Sequence, residues 1–197
     1  MTVSAIVVNH GLGARAGSVW FPYFMAELTT LGHTVTIPNL PDPDAPRLEP
    51  WREAFATAVA AAGPAGDTVL VGHSIGGVNV LRMLEQHDVA AAGQFAGVLL
   101  VSTAAHEVGY DILAEFFAEP FDWARIRGAA REFRVLAAAD DPVNVPDPVE
   151  HVGLLVRGLA ATAVLTATGS HLGNFPDDHI ELPEAVRLVD EIQAATR

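Results

Sequence analysis

The chain contains no cysteine and no lysine among its 197 residues, and all 11 of its basic residues are arginine. The absence of cysteine excludes disulfide bonds, a catalytic thiolate and any zinc site built on cysteine ligands. The absence of lysine excludes a Schiff-base lysine, a lysine general base and the lysine of a Walker phosphate-binding loop. Several routes to covalent and phosphate chemistry are therefore closed to this chain.

Positive charge and long apolar runs are also scarce. The formal net charge of −13 argues against nucleic-acid and anionic-membrane partners, because both favour a basic face. The least polar long stretch, 152–169, is interrupted by Arg157 and Gly158, which predicts a helix followed by a strand rather than a membrane span. Residues 1–8 lack the basic region and the long apolar stretch of a secretory signal. We therefore expect a cytoplasmic protein without a membrane or nucleic-acid partner, and its oligomeric state is left open.

Short apolar runs alternate with helical patterns along the whole chain. Half of the residues are apolar, which fits one α/β domain over 1–197 with a core large enough to hold a pocket. The strands are predicted at Val3–Val8, Thr34–Ile37, Thr68–Val71, Gly97–Val101, Arg134–Ala139 and Ala163–Thr168. Apolar residues at helical spacing occur within 20–31, 51–59, 78–84 and 182–192. This alternation predicts a mostly parallel sheet of about six strands, covered by helices on both faces.

Residues 104–128 break the alternation, between the fourth and fifth predicted strands. The segment is rich in aromatic side chains around Pro120. It either forms a lid or pocket wall, or packs onto the core. The residues that we predict for a substrate pocket are Trp20, Phe116, Phe117, Phe121 and Trp123.

The sequence Gly72-His73-Ser74-Ile75-Gly76 follows a predicted strand and leads directly into a helical pattern. A serine on such a sharp strand-to-helix turn presents its hydroxyl at the carboxyl edge of the sheet, beside the backbone N–H of the next residue. Gly72 and Gly76 remove the Cβ atoms that would collide there. The alternative is a serine that only caps the helix. We predict a nucleophile elbow, in which His73 points away from the hydroxyl and packs in the interior.

A nucleophilic serine needs a base within hydrogen-bond reach and an acid that orients the base. In α/β-hydrolases the chain order is serine, acid, histidine. The fifth predicted strand is followed by Asp140 and Asp141, and the sixth by His171, so both would converge on Ser74. We expect a triad of Ser74, Asp141 and His171, with Asp140 as the alternative acid.

The oxyanion of an acyl-transfer reaction needs two N–H donors. Ile75 would supply the first from the elbow, and the loop Asn9–Gly13 after the first strand is placed to supply the second. We predict the Leu12 N–H, or that of a neighbouring glycine, for this role.

Taken together, these features resemble the small serine hydrolases of the retinoblastoma-binding protein 9 and YdeN type, within the α/β-hydrolase superfamily. The likeness covers most of the chain. Besides the elbow it includes Trp20-Phe21-Pro22, Gly32-His33, Pro38–Asp42, Phe116-Phe117, Pro120–Trp123, Asp140-Asp141-Pro142, Gly169-Ser170-His171 and Asn174. The resemblance implies that Asp141 is the triad acid and that the activity is hydrolysis of a small ester or amide, with no cofactor. One departure is the run from Asp141 to Pro146, which is a residue longer than in that family.

Three other functions compete with this one. Gly11–Ala16 matches a dinucleotide-binding fingerprint, but Ile37-Pro38-Asn39 offers no acid for the ribose where that fold requires one. A metal hydrolase could use His171, Asp177, Asp178 and His179, although a polar surface turn explains them, and we expect no metal. A hydrolase fold with a misaligned triad could also serve only for binding. The prediction is a serine hydrolase acting on a small-molecule ester or amide.

Overall fold

A computed structural model describes residues 4–173 and 180–196, and its centre is a six-stranded sheet. The strands are β1 (Ala5–Asn9), β2 (Thr34–Thr36), β3 (Thr68–His73), β4 (Phe95–Val101), β5 (Ala130–Ala138) and β6 (Thr162–Thr166). Their order across the sheet is β2-β1-β3-β4-β5-β6, and every neighbouring pair is parallel. The predicted parallel sheet is therefore confirmed.

Helices cover both faces of this sheet. They are α1 (Phe21–Thr30), α2 (Leu48–Ala62), α3 (Ile75–Gln86), α4 (Val89–Ala92), α5 (Trp123–Gly128), α6 (Pro148–Leu159) and α7 (Pro183–Ala195). The apolar residues of α1 and α7 pack with Ile6 and Val8 of β1, whereas those of α2, α3 and α6 pack with Val7. This division follows from the pleat, because successive side chains of a strand point to opposite faces. Within the described ranges, no helix is both long and apolar enough to span a membrane.

The central strands β3 and β4 are buried along their whole length, which explains why their sequences are almost continuously apolar. Strand β5 begins four residues before the predicted start at Arg134. Its first residues pair with β4, with Ala130 beside Phe95 and Glu132 beside Gly97. The polar pair Arg131-Glu132 interrupts the apolar pattern there, so the sequence did not indicate this part of the strand. The predicted start of β1, Val3, lies outside the described residues.

The carboxyl ends of the parallel strands bring five loops to one edge of the sheet. These loops follow β1, β3, β4, β5 and β6, and they contain Leu12, Ser74, Ala104, Asp141 and His171 respectively. In open parallel sheets this edge is where ligands bind.

The aromatic segment 104–128 contains a 3-10 helix at Asp111–Phe117 and then α5. Leu113, Phe116 and Ile126 are buried in the core on the α3 side. These residues of the segment pack onto the core, while Tyr110 and Leu113 border a cavity at the carboxyl edge.

Candidate active site

Ser74 lies at the sharp turn between β3 and α3, with φ 57° and ψ −131°. A positive φ at a non-glycine residue of this kind costs about 1–3 kcal/mol and persists only where the surroundings enforce it. Here the Ser74 N–H donates to the Val101 carbonyl at 2.9 Å, which fixes the turn to β4. A Cβ at Gly72 would overlap the Cα of Gly77, and one at Gly76 would overlap the carbonyl oxygen of Asn9. The glycines therefore allow the helix to start directly against two strands.

The structure brings Ser74, His171 and Asp141 into one hydrogen-bonded chain. The Ser74 hydroxyl lies 2.8 Å from His171 Nε2, and His171 Nδ1 lies 2.8 Å and 2.9 Å from the two carboxylate oxygens of Asp141. Both the imidazole and the carboxylate are buried. An ionised carboxylate only accepts hydrogen bonds, so Nδ1–H donates to Asp141 and Nε2 keeps its lone pair for the serine proton.

The two aspartates of the Asp-Asp-Pro turn have different partners. The buried Asp141 carboxylate also accepts from the backbone N–H groups of Val143 and Asn144, at 2.9 and 3.3 Å, and from Asn144 Nδ2 at 2.9 Å. Asp140 is exposed, and its Oδ1 accepts from the Ser170 N–H at 2.8 Å. Asp140 thus contacts the backbone before His171, whereas Asp141 contacts the imidazole. Sequence reasoning missed Asn144, because an Asx turn requires only the aspartate and the backbone N–H two residues on, here that of Val143, and gives no signal for the side chain that follows.

Two buried rings hold the backbone that carries His171. His73 Nε2–H donates to the His171 carbonyl at 3.1 Å, and the Trp20 indole N–H donates to the Leu172 carbonyl at 2.8 Å. Burial lowers the pKa of His73 to about 3, so its ring is neutral at physiological pH. The expected interior position of His73 agrees with this geometry. Trp20 was predicted for the substrate pocket, and this is corrected: its ring is buried among Phe21 and Phe24, where the N–H requires a carbonyl partner.

His151 supports the loops that follow β4 and β5, and sequence reasoning missed this residue as well. Its Nδ1 accepts from the Ala105 N–H at 3.0 Å, and its Nε2–H donates to the Val145 carbonyl at 2.9 Å. The ring therefore joins the loop after β4 to the loop that carries Asp141. Burial lowers the pKa of His151, which favours the neutral form that this pattern of one donor and one acceptor needs.

The loop after β1, on which the second oxyanion donor was predicted, lies against the elbow. A Cβ at Gly11 would come 3.0 Å from the Ser74 Cβ, and the loop is tied down by a hydrogen bond from Gly13 N–H to the Pro43 carbonyl at 2.8 Å. Among the described residues the Leu12 N–H has no hydrogen-bond partner. Ile75 is the first residue of α3, where N–H groups lack intrahelical acceptors. Both residues border cavities at Ser74, Leu12 the one that His171 also lines and Ile75 a narrower one.

The same glycine-rich loop does not have the form of a dinucleotide site. In that fold a helix opens within the fingerprint and points its N-terminus at the pyrophosphate. Here the segment Gly11–Ala16 is followed by turns, and α1 begins only at Phe21.

Two cavities meet at Ser74. The first is open, has a volume of about 400 Å³ and is lined by Leu12, Gly13, Ser74, Tyr110, Leu113, Val143 and His171. The second is a narrow crevice of about 10 Å³ whose walls include Ile75, Val78, Val108, Leu113 and Phe117. A larger open groove of about 570 Å³ lies beside Gln86 and His87, away from the triad. The two cavities at Ser74, and not this larger groove, therefore border the triad.

The remaining aromatic predictions are corrected in part. Phe117 borders the crevice, but Phe116 is fully buried against Trp51. Phe121 and Trp123 stack on each other, with ring centres 4.8 Å apart, and line a separate surface groove. The turn geometry of the 3-10 helix, and not aromatic content, decides which side chains face Ser74.

No group of three side chains that could hold a metal ion occurs within the described parts of the chain. Asp177, Asp178 and His179, which were considered as metal ligands with His171, lie outside the described residues.

The parallel sheet, the strand-to-helix serine and the order serine, acid, histidine define this protein as an α/β-hydrolase. The sequence profile of the family described as "Serine hydrolase" matches residues 6–191, and the chain belongs to that family.

Individual relatives agree with this membership. YdeN of Bacillus subtilis (strain 168) is 32% identical over 139 residues, which are 70% of this chain and 71% of YdeN. Its crystal structure superposes with a TM-score of 0.86 over 98% of this chain and 100% of YdeN, at 26% identity. Rattus norvegicus serine hydrolase RBBP9 is 26% identical over 144 residues, 72% of this chain and 73% of RBBP9. Est1E from Butyrivibrio proteoclasticus shares the fold at 10% identity, with a TM-score of 0.73 over 99% of this chain and 88% of Est1E.

Proposed function

We propose that this serine hydrolase cleaves a small to medium ester through an acyl-enzyme formed on Ser74. The observation that carries the proposal is the hydrogen-bonded chain from Ser74 through His171 to Asp141, which opens into a cavity of about 400 Å³. Pockets of about 300–1,000 Å³ are typical for small-molecule ligands. The reaction needs no cofactor.

In the first step the Ser74 oxygen attacks the carbonyl carbon of the ester while its proton moves to His171 Nε2. The carbonyl oxygen becomes an oxyanion that accepts from the N–H groups of Ile75 and Leu12. Collapse of this intermediate breaks the bond to the alcohol oxygen, and that oxygen takes the proton from Nε2. Asp141 stabilises the imidazolium in between.

In the second step water attacks the acyl-enzyme and gives a proton to His171 Nε2. The second oxyanion uses the same two N–H donors, and its collapse releases the acid and returns the proton to the Ser74 oxygen. Esters are favoured over amides because an alkoxide leaving group needs less help from protonation than an amine.

The test is hydrolysis of p-nitrophenyl esters from acetate to octanoate. We expect Ser74→Ala and His171→Ala to lose turnover by about 10⁶-fold, and Asp141→Asn by about 10⁴-fold because the imidazole tautomer is no longer fixed. The matched control is Asp140→Asn, which alters the neighbouring carboxylate but not the one at His171, and it should keep kcat/KM within about tenfold.

Labelling with a fluorophosphonate separates enzyme from binding protein. An active wild type is labelled at Ser74, and Ser74→Ala is not. Ester turnover that persists in a folded Ser74→Ala variant overturns the assignment. A wild type that neither turns over any ester nor reacts with the fluorophosphonate points to a ligand-binding role for the fold.

A further inference from the structure

We infer that the two cavities at Ser74 divide the substrate, so that the crevice accepts an acyl group of about two carbons and the open cavity accepts a much larger alcohol. The inference rests on the proposed ester hydrolysis and narrows it. The substrate class is an acetate ester of a bulky, partly apolar alcohol.

The direction of the substrate follows from the proton transfers. In the tetrahedral intermediate the alcohol oxygen must lie near His171 Nε2, because that nitrogen gives it a proton. His171 lines the open cavity, but it is not among the described residues that line the crevice. The oxyanion is directed to the N–H groups of Ile75 and Leu12. The acyl substituent therefore takes the remaining direction, into the crevice beside Ile75.

The crevice limits the acyl group by its volume. About 10 Å³ is roughly the space that one water molecule needs, so only the smallest acyl substituent, the methyl group of an acetyl, suits the crevice. Val78 is fully buried, Val108 and Leu113 are each 6% exposed, and the helices that carry Val78 and Leu113 pack into the same core. Interiors at this density do not yield to extra methylenes without displacement of neighbouring side chains. Acyl chains longer than two carbons are thus excluded.

The open cavity has no such limit. Its volume of about 400 Å³ would hold an alcohol of many carbon atoms. Leu12, Leu113 and Val143 make much of its wall apolar, and Tyr110 stands at its rim with 44% of its surface exposed. An aromatic or branched alcohol fits this lining better than a charged one.

The experiment varies each side of the ester separately. The acyl series is p-nitrophenyl acetate, butyrate and hexanoate, and the alcohol series is ethyl, phenyl and 1-naphthyl acetate. We expect kcat/KM to fall about tenfold or more from acetate to butyrate, and to be at least as high for 1-naphthyl as for ethyl acetate.

Two variants enlarge the crevice independently. Phe117→Ala and Val108→Ala should each raise the butyrate-to-acetate ratio of kcat/KM about tenfold, because each removes wall atoms from the crevice and not from the open cavity. The matched control is Tyr110→Ala, which opens the other cavity. This variant should leave the butyrate-to-acetate ratio of kcat/KM within about twofold of the wild-type value. It should change the ratio of kcat/KM for 1-naphthyl acetate to that for ethyl acetate.

The outcomes distinguish the inference from the function on which it rests. A wild type that prefers hexanoate to acetate in a Ser74-dependent reaction overturns the division of the substrate and leaves ester hydrolysis standing. Unchanged acyl ratios in both folded crevice variants overturn it as well. Absence of all ester turnover and of fluorophosphonate labelling overturns the function, and the division with it.

Discussion

At the scale of the single residue, His73 shows how a motif residue can serve the site without touching the reacting atoms. Its ring lies 5.8 Å from that of Trp20 and 6.1 Å from that of Phe21, and its Nε2–H holds the carbonyl of His171. Among the described residues its Nδ1 has no hydrogen-bond partner. A proton added to Nδ1 would be buried without an acceptor, so only the neutral ring fits the folded protein.

This histidine makes the stability of the fold depend on pH. Its pKa is about 3 in the folded protein and 6.5 without the fold, so the unfolded chain binds more protons between these values. Stability is therefore full above about pH 6.5 and falls as the pH is lowered towards 3, by up to ~1 kcal/mol per pH unit. His73→Phe should be less stable at pH 7.5 and lose less stability per pH unit between 6.5 and 5. Urea unfolding at each pH measures both effects.

Part of the acid sensitivity will remain in that variant. Burial also lowers the pKa values of His10 and His151, and these act with the same sign. Parallel curves of stability against pH for wild type and His73→Phe would contradict the prediction.

The same residues show what sequence can predict of a site. The order along the chain was enough to predict Ser74, an Asp-Asp pair and His171, because parallel strands must end at one edge. The choice between Asp140 and Asp141 depends on which carboxylate turns inward, and hydrogen bonds from Val143 and Asn144 hold the Asp141 carboxylate there. The prediction that Trp20 lines the substrate pocket was wrong, because the sequence does not indicate which carbonyl group accepts from the indole N–H in the fold.

At the scale of elements, Arg82 couples helix α3 to the segment 104–128, whose residues Tyr110 and Leu113 line the open cavity and which is called the wall below. Its Nε donates to the Phe116 carbonyl at 2.9 Å, and its guanidinium lies 4.1 Å from the ring centre of Phe121. It also pairs with Glu85 at 2.9 Å, and Glu85 in turn accepts from the Asp122 N–H at 2.8 Å. Both side chains are largely buried, so the wall depends on this one arginine for several of its hydrogen bonds.

Removal of this arginine should loosen the wall. In Arg82→Met the largely buried Glu85 and the Phe116 carbonyl lose their partner, and we expect a loss of about 2–4 kcal/mol of unfolding free energy. The matched control is Arg52→Met, since Arg52 pairs with Glu49 at the same helical spacing but joins no second segment. The Arg52→Met variant should lose at most about 1 kcal/mol of unfolding free energy.

Urea unfolding gives the two free energies, and limited proteolysis reports on the wall itself. Cleavage within 107–122 should become faster in Arg82→Met and not in Arg52→Met. Equal free-energy losses in the two variants would show that Arg82 acts only as a surface ion pair.

Elements were predictable where local pattern and burial agree. The buried strands β3 and β4 were evident because both faces are apolar. The 3-10 helix and α5 were not, since they are short and depend on contacts such as that of Arg82, which no periodicity records.

At the scale of the whole molecule, the excess of acidic residues is the dominant feature of the surface. The chain has 24 acidic and 11 basic residues, a formal net charge of −13 and a pI of about 4.8. Several arginines are already engaged at short range, such as Arg82, Arg134 and Arg187. The remaining carboxylates repel one another, and such self-repulsion opposes the compact state.

Sodium chloride should therefore stabilise the fold at neutral pH. Ionic strength shortens the Debye length from about 20–30 Å near 20 mM to below 8 Å at 300 mM, which screens repulsion across the surface. At pH 7.5 we expect about 1 kcal/mol of stabilisation and a rise in Tm of about 2–4 °C. At pH 5, close to the pI, protonation, chiefly of the histidines and to a smaller extent of the carboxylates, has removed most of the net charge, and the same salt should shift Tm by less than about 1 °C. Chloride is preferable to sulfate, because sulfate also strengthens apolar burial.

Thermal unfolding at pH 7.5 and pH 5, each with and without added sodium chloride, measures how far the rise in Tm depends on pH. An equal rise in Tm at both pH values would show that the salt acts through something other than the net charge.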